Sequence, residues 1–226
     1  MRPLPRLLAF SDDRVAALDD LGVRAAAIAA AGPGVALVAR LPGGSTDELA
    51  SLARHFVTLA APPMAAVMVT ARADVALAVG ANGVILRQED LDVNAVRGVL
   101  TRRHDHAHQA AAHFILRSVH SESEAAAAVR EGADALVVGT IWSSATHIGR
   151  AAAGTGLLER VVSMGVPTYA IGGVTPARAV EAKAAGAWGV AAISAFWDAA
   201  APYRAAMDLL EPWFELRGEG GHAPDH

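Results

Sequence analysis

Three stretches of this chain share one layout: "VGANGVILR" (79–87), "EGADALVVG" (131–139) and "AGAWGVAAIS" (185–194). Each follows an Ala-rich helical segment. Each passes through Gly-Ala into a short apolar run rich in β-formers. The glycines stand at 80, 132 and 186, so the repeat recurs every 52 and 54 residues. They read as residues just past a helix, where a left-handed backbone is needed and glycine supplies it without strain. In a closed barrel of eight βα units, about 250 residues or somewhat fewer, a unit takes about half this spacing. The repeat therefore marks every second unit.

Filling the intervals predicts strands at 6–10, 34–40, 65–70, 83–87, 113–118, 135–139, 167–171 and 189–194. Helices are predicted at 12–31, 45–61, 73–80, 92–104, 121–132, 154–165, 176–185 and 197–214. Ser45 with Glu48, and Ser121 with Glu124, have capping-box spacing. Thr175-Pro176 places a cap before a first-turn proline. Eight strands, each followed by a helix, predict an α/β fold of the (β/α)₈ TIM-barrel type in one domain over residues 1–216. A doubly wound open sheet is the alternative. The polar, Gly-rich end 217–226 is expected to be a disordered tail.

Composition narrows the function. A net charge of −4 leaves no basic footprint for nucleic acid. With no cysteine in the chain, disulfides, thiolate catalysis and cysteine-held metals are excluded. No stretch reaches the ~20 uninterrupted apolar residues of a membrane span. "MRPLPRLLAF" followed by "SDD" does not read as a secretory signal. A cytoplasmic location without membrane partners is the default expectation. His104, His106 and His108 alternate in "RRHDHAH", but they fall between a helix and the next strand, on the face away from the expected ligand, and read as surface loop.

In barrels of this type the ligand meets the C-terminal ends of the strands. The residues expected there are Arg40, Thr70, Arg72, Arg87, Arg117, Ser118, His120, Gly172, Gly173 and Ser194. The long connection 141–156 after strand 6 reads as a lid carrying Thr146, His147 and Arg150. Arg40, Arg72, Arg87, Arg117, His147 and Arg150 would make a cationic mouth on an acidic protein, aimed at one anionic ligand. The alternative is a solvated outward rim. In "YAIGGVTPARA" (169–179) two glycines separate a strand from a helix start. Backbone without Cβ atoms lets N–H groups approach a phosphate closely.

These residues also carry a resemblance. "YAIGGVTPARAVEAKAAGAWGVAAISAFW", "VTARADVALAVGANGVILRQEDL" and "RSVHSESEAAAAVREGADALVVGTIW" are similar to segments of the thiamine phosphate synthase/TenI superfamily, over roughly Gly34 to Trp197. The resemblance implies a (β/α)₈ barrel, commonly a homodimer. It implies an enzyme that joins a hydroxymethylpyrimidine diphosphate to a thiazole phosphate, releasing pyrophosphate with Mg²⁺. By matching positions, Gly172 and Gly173 would hold the thiazole phosphate with Gly189 and Ser194 beside them. Ser118 would meet the pyrimidine diphosphate. Arg40 would match the strand-2 arginine, and Asp90 one of two metal-binding aspartates.

The sequence departs from that pattern at named places. Gln-x-Arg-x-Lys around strand 2 reads Val38, Arg40 and Pro42. Asn-Asp after strand 3 reads Thr70-Ala71, so one metal carboxylate is replaced. Thr-Lys in the lid reads Thr146-His147, and Arg87 replaces a glycine. The alternatives are a TenI-like thiazole tautomerase using His120 or His147 as base, and a non-catalytic binder of thiazole or thiamine phosphate. The tautomerase histidine after the strand-6 glycine is Thr140 here.

Overall fold

The computed structural model describes residues 3–60, 65–101, 113–143 and 152–214. The strands are β1 (Leu7–Phe10), β2 (Val35–Ala39), β3 (Ala66–Thr70), β4 (Gly83–Leu86), β5 (Phe114–Val119), β6 (Ala135–Gly139), β7 (Thr168–Ile171) and β8 (Gly189–Ala192). Each pairs in parallel with the next, and β8 pairs with β1, so the sheet closes on itself. That last pairing excludes the open-sheet alternative. The strand interiors are buried on both faces, as expected of a parallel sheet wrapped by helices.

Two core layers follow from the strand period of two. Leu8, Val38, Met68, Ile85, Leu116 and Val137 fill the barrel interior. Their neighbours Leu7, Leu37, Val69, Val84, Ile115 and Leu136 belong to the second cluster, shared with the helices. The N-terminal end of the barrel is plugged. Tyr169 is fully buried there and its hydroxyl donates to the Pro5 carbonyl at 2.5 Å. Trp188 Nε1 donates to the same oxygen at 3.1 Å. Arg6 lies over the Trp188 ring, 3.5 Å from its centroid. A ligand can therefore enter only from the other end.

The helices are α1 (Asp13–Ala16), α2 (Leu21–Ala29), α3 (Thr46–Ala60), α4 (Ala73–Val79), α5 (Val93–Thr101), α6 (Glu122–Arg130), α7 (Gly154–Val162), α8 (Pro176–Ala184), α9 (Ser194–Trp197) and α10 (Pro202–Leu210), with a final 3₁₀ turn at Glu211–Trp213. Two expected helices are broken. The one predicted at 12–31 stops at Ala17, whose N–H turns back to the Arg14 and Val15 carbonyls, and restarts after Asp20. The one predicted at 197–214 divides before Pro202, which has no N–H to donate and sits at the start of α10. None of the described helices is long and apolar enough to cross a membrane.

The expected end signals are present. Gly80, Gly132 and Gly186 have φ of +73°, +81° and +86°. Ser45 and Glu48 exchange hydrogen bonds, 2.7 Å from Ser45 N to Glu48 Oε2 and 3.2 Å from Glu48 N to Ser45 Oγ. At α6 the arrangement is shifted. Ser121 Oγ accepts from Glu124 N at 3.2 Å, but the Glu124 carboxylate accepts from His120 N at 2.7 Å. That cap ties His120 to the helix start. The His104, His106 and His108 stretch and the tail 217–226 lie outside the described residues.

Candidate active site

The open end of the barrel holds a cavity of about 420 Å³. Which side chains reach it follows from strand parity. Residues two beyond the last inward core position continue the inward face: Arg40 after Val38, Arg87 after Ile85, Ser118 after Leu116, Gly139 after Val137. Arg40, Arg87, Ser118, His120, Gly172, Gly173 and Ser194 all line this cavity, as the sequence led us to expect. Phe10, Val137 and Ile171 give it an apolar floor on which a flat ring can rest.

The glycine pair ends β7. Both residues are in left-handed backbone, Gly172 at φ +100° and Gly173 at φ +62°. A Cβ on Gly172 would overlap Thr140, and one on Gly173 would overlap the Ser143 carbonyl. The two positions thus need glycine for conformation and for space together. Neither amide N–H has an acceptor among the described residues. The Gly173 carbonyl is held instead, accepting from Arg178 Nη1 at 2.6 Å, while Thr175 Oγ1 caps α8 by accepting from Arg178 N at 3.3 Å. Backbone amides without an acceptor among the described residues, on the wall of a cavity, have the chemistry to receive an anion.

Across the cavity stand two guanidinium groups in different states. Arg87 is gripped by Asp90, which accepts from its backbone N at 2.7 Å, from Nε at 3.3 Å and from Nη2 at 2.9 Å. Glu89 lies 3.1 Å from Nη1. The Asp90 hydrogen bond raises the Arg87 pKa above its ordinary value. Arg40 makes no side-chain hydrogen bond or ion pair among the described residues. Burial lowers its pKa, the charges of Asp12 and Asp13 partly restore it, and the like charge of Arg87 lowers it further. A partly desolvated cation that lines a cavity and has no side-chain partner among the described residues suits an anion.

The sequence reading missed what positions Arg40. Ser11 is fully buried, and its Oγ accepts from Arg40 N at 2.9 Å and lies 2.9 Å from the Arg40 carbonyl. A lone serine following an apolar strand was the only available signal. Gln88, Glu89 and Thr140 also reach the cavity. His120 Nδ1 is hydrogen-bonded to the Gly139 carbonyl. Since a carbonyl only accepts, Nδ1 carries the proton and Nε2 is left as the basic atom.

Four expected residues stand elsewhere. Arg117 is the neighbour of inward Ser118 and therefore points outward. It donates to the Leu91 carbonyl at 2.8 Å and lies under α6 near Glu131. Gly189 begins β8, at the plugged end, where a Cβ would overlap the Arg6 carbonyl and crowd the Tyr169 ring. It serves close packing of β8 on β1, not the ligand. We expect Gly189→Ala to cost about 3 kcal/mol and lower Tm by about 6–12 °C in thermal unfolding. An unchanged Tm would show that the strands have room to part. Thr70 lines an adjoining cleft of about 210 Å³ with Ala71 and Arg72, a cleft that shares Arg40 and Arg87 with the cavity. Arg72 is occupied by Asp74 and Thr46. Thr146, His147 and Arg150 lie outside the described residues.

The residues do not fit a carboxylate-held Mg²⁺. Both Asp90 oxygens accept from Arg87, and the second carboxylate position is Ala71. The described residues contain no group of three or more potential metal ligands among His, Cys, Asp and Glu.

Comparisons with known proteins give the chain's family and fold relatives. Residues 9–196 match the family described as thiamine monophosphate synthase. The thiamine-phosphate synthase of Salinispora arenicola is 35% identical over 214 residues, covering 93% of this chain and 98% of that protein. That of Mycolicibacterium smegmatis is 39% identical over 140 residues, 61% of this chain and 58% of that protein. Among solved structures, thiamine phosphate pyrophosphorylase from Pyrococcus furiosus superimposes with a TM-score of 0.74 at 28% identity, covering 92% of this chain and 94% of that one.

Proposed function

The chain belongs to the thiamine monophosphate synthase family, and from that premise we propose that it condenses a hydroxymethylpyrimidine diphosphate with a thiazole phosphate, releasing pyrophosphate. The observation that carries this reading is that one cavity brings together two glycine amides without an acceptor among the described residues and the guanidinium groups of Arg40 and Arg87. Two separate anion receptors suit two phosphorylated substrates.

The chemistry explains why cations matter more here than a base. The carbon–oxygen bond to the diphosphate breaks, and its electron pair leaves with pyrophosphate. The pyrimidine methylene cation is captured by the lone pair of the thiazole nitrogen, which forms the new carbon–nitrogen bond. That nitrogen carries no proton to be removed. Negative charge grows on the leaving diphosphate, so Arg40 and Arg87 stabilise the transition state more than the ground state. Gly172 and Gly173 fix the thiazole by its phosphate. Phe10, Val137 and Ile171 exclude water from the ring faces, and Ser118 lies between the two anion receptors as an orienting hydroxyl.

The test is pyrophosphate release measured with each substrate alone and with both. Release is expected only with both, together with thiamine phosphate. No release from the pair would overturn the assignment. One observation favours a second reading, an isomerase: His120 lines the cavity, and its Nε2 has no partner among the described residues, so it can serve as a base there. Solvent deuterium entering a thiazole carboxylate substrate, and lost in His120→Ala, would favour it over condensation.

A further inference from the structure

The cleft at the ends of β2, β3 and β4 has cations where a metal's carboxylates would be needed. We propose, resting on the reading above, that the fixed guanidinium of Arg87, with Arg40, holds the diphosphate directly, so that diphosphate binding in this chain needs no Mg²⁺.

Mg²⁺ is normally bound through one or two carboxylates together with substrate phosphates, and it sheds its water reluctantly. Asp90 offers it at most one lone pair, on Oδ1. Oδ2 accepts from Arg87 N and Nε, Oδ1 accepts from Nη2, and the side chain is only 11% exposed. The residue after β3, where the family pattern has its other aspartate, is Ala71, in left-handed backbone at φ +64°. Among the described residues, Glu89 is the carboxylate that lines the cavity; its side chain is 65% exposed and already pairs with Arg87. The segment 144–151, "SATHIGRA", contains no Asp or Glu.

The charge balance is nevertheless preserved. Two carboxylates and a dication sum to zero, and so do one carboxylate and one guanidinium. The exchangeable ion has been traded for a tethered one. Of Arg87's five N–H groups, Asp90 and Glu89 occupy Nε–H and one on each terminal nitrogen. One N–H on each terminal nitrogen remains, and a planar fork of this kind matches paired phosphate oxygens. Arg40, without a partner among the described residues, supplies the second cation on the same wall.

The test is isothermal titration of the full chain with inorganic pyrophosphate, in EDTA and in excess Mg²⁺. Binding in EDTA is expected to be at least as tight as in Mg²⁺. Arg87→Met, whose parent side chain is 57% exposed, is expected to weaken it about tenfold or more while Tm stays near the parent's. The double variant Ala71→Asp with Arg87→Gly frees Asp90 and adds a carboxylate after β3, in the cleft that Arg40 lines. It is expected to bind pyrophosphate only in Mg²⁺. Parent binding that requires Mg²⁺, no pyrophosphate binding in either buffer, or undiminished binding by Arg87→Met in EDTA would each overturn the proposal. Condensation assayed in the same buffers separates the two readings. Turnover accompanied by pyrophosphate binding in Mg²⁺ alone keeps the reaction and removes metal-free binding. Pyrophosphate bound in EDTA without turnover does the reverse.

Discussion

Gly173→Ala is expected to lower kcat/KM for the thiazole phosphate by more than about a hundredfold, since a displaced anion donor commonly costs 10²–10³. The residue has φ of +62°, and an added Cβ would overlap the Ser143 carbonyl and sit 3.1 Å from that of Trp142. Left-handed backbone costs a non-glycine residue about 1–2 kcal/mol, and the overlap forces the root of the loop after β6 to shift as well. The amide that faces the cavity then moves by a good fraction of an ångström. Steady-state kinetics with the thiazole phosphate varied is the check. The loss should appear mainly in KM, because the phosphate is bound equally before and during reaction. A kcat/KM within twofold of the parent would remove these amides from the phosphate site.

Arg40→Met should act differently. Methionine keeps much of the side-chain length and removes the charge. In the proposed reaction the guanidinium faces the leaving diphosphate, so its contribution would grow as the bond breaks, and kcat should fall about 10²–10³-fold. Stability should be unchanged or slightly improved, because the parent carries a desolvated cation whose burial lowers its pKa. Single-turnover kinetics and thermal unfolding together test this. A large fall in Tm with unchanged kcat would make Arg40 a structural residue. Ser11→Ala is a graded version, since the hydroxyl holds the Arg40 backbone.

Much of the fold was legible because its signals are local. Each glycine after a helix, each capping hydroxyl and Pro176 at the start of α8 acts within a few residues of itself. The boundaries that failed were also local in cause. Ala17 closes α1 by turning its N–H back, with no proline or glycine to announce it. Pro202 did announce a break, which the long apolar pattern of 197–214 obscured. The glycine pair at 172–173 was legible for the same reason, as bare backbone between a strand and a helix cap.

The sequence by itself determined the eightfold alternation, the glycines that end helices, and the bare backbone between β7 and α8. Only the tertiary structure decided which charged side chains share the cavity. β5 reads "FILRSV", apolar through Leu116 on both faces, because one face packs inside the barrel and the other against helices. Such a strand has no alternation from which to read its inward side. Closure of the eight strands sets that register, sending Ser118 in and Arg117 out. It also puts Gly189 at the plugged end. The last decision was electrostatic. Arg87 and Asp90 are three residues apart and both present in the sequence, but whether the carboxylate faces a metal or a guanidinium depends on the turn that carries them.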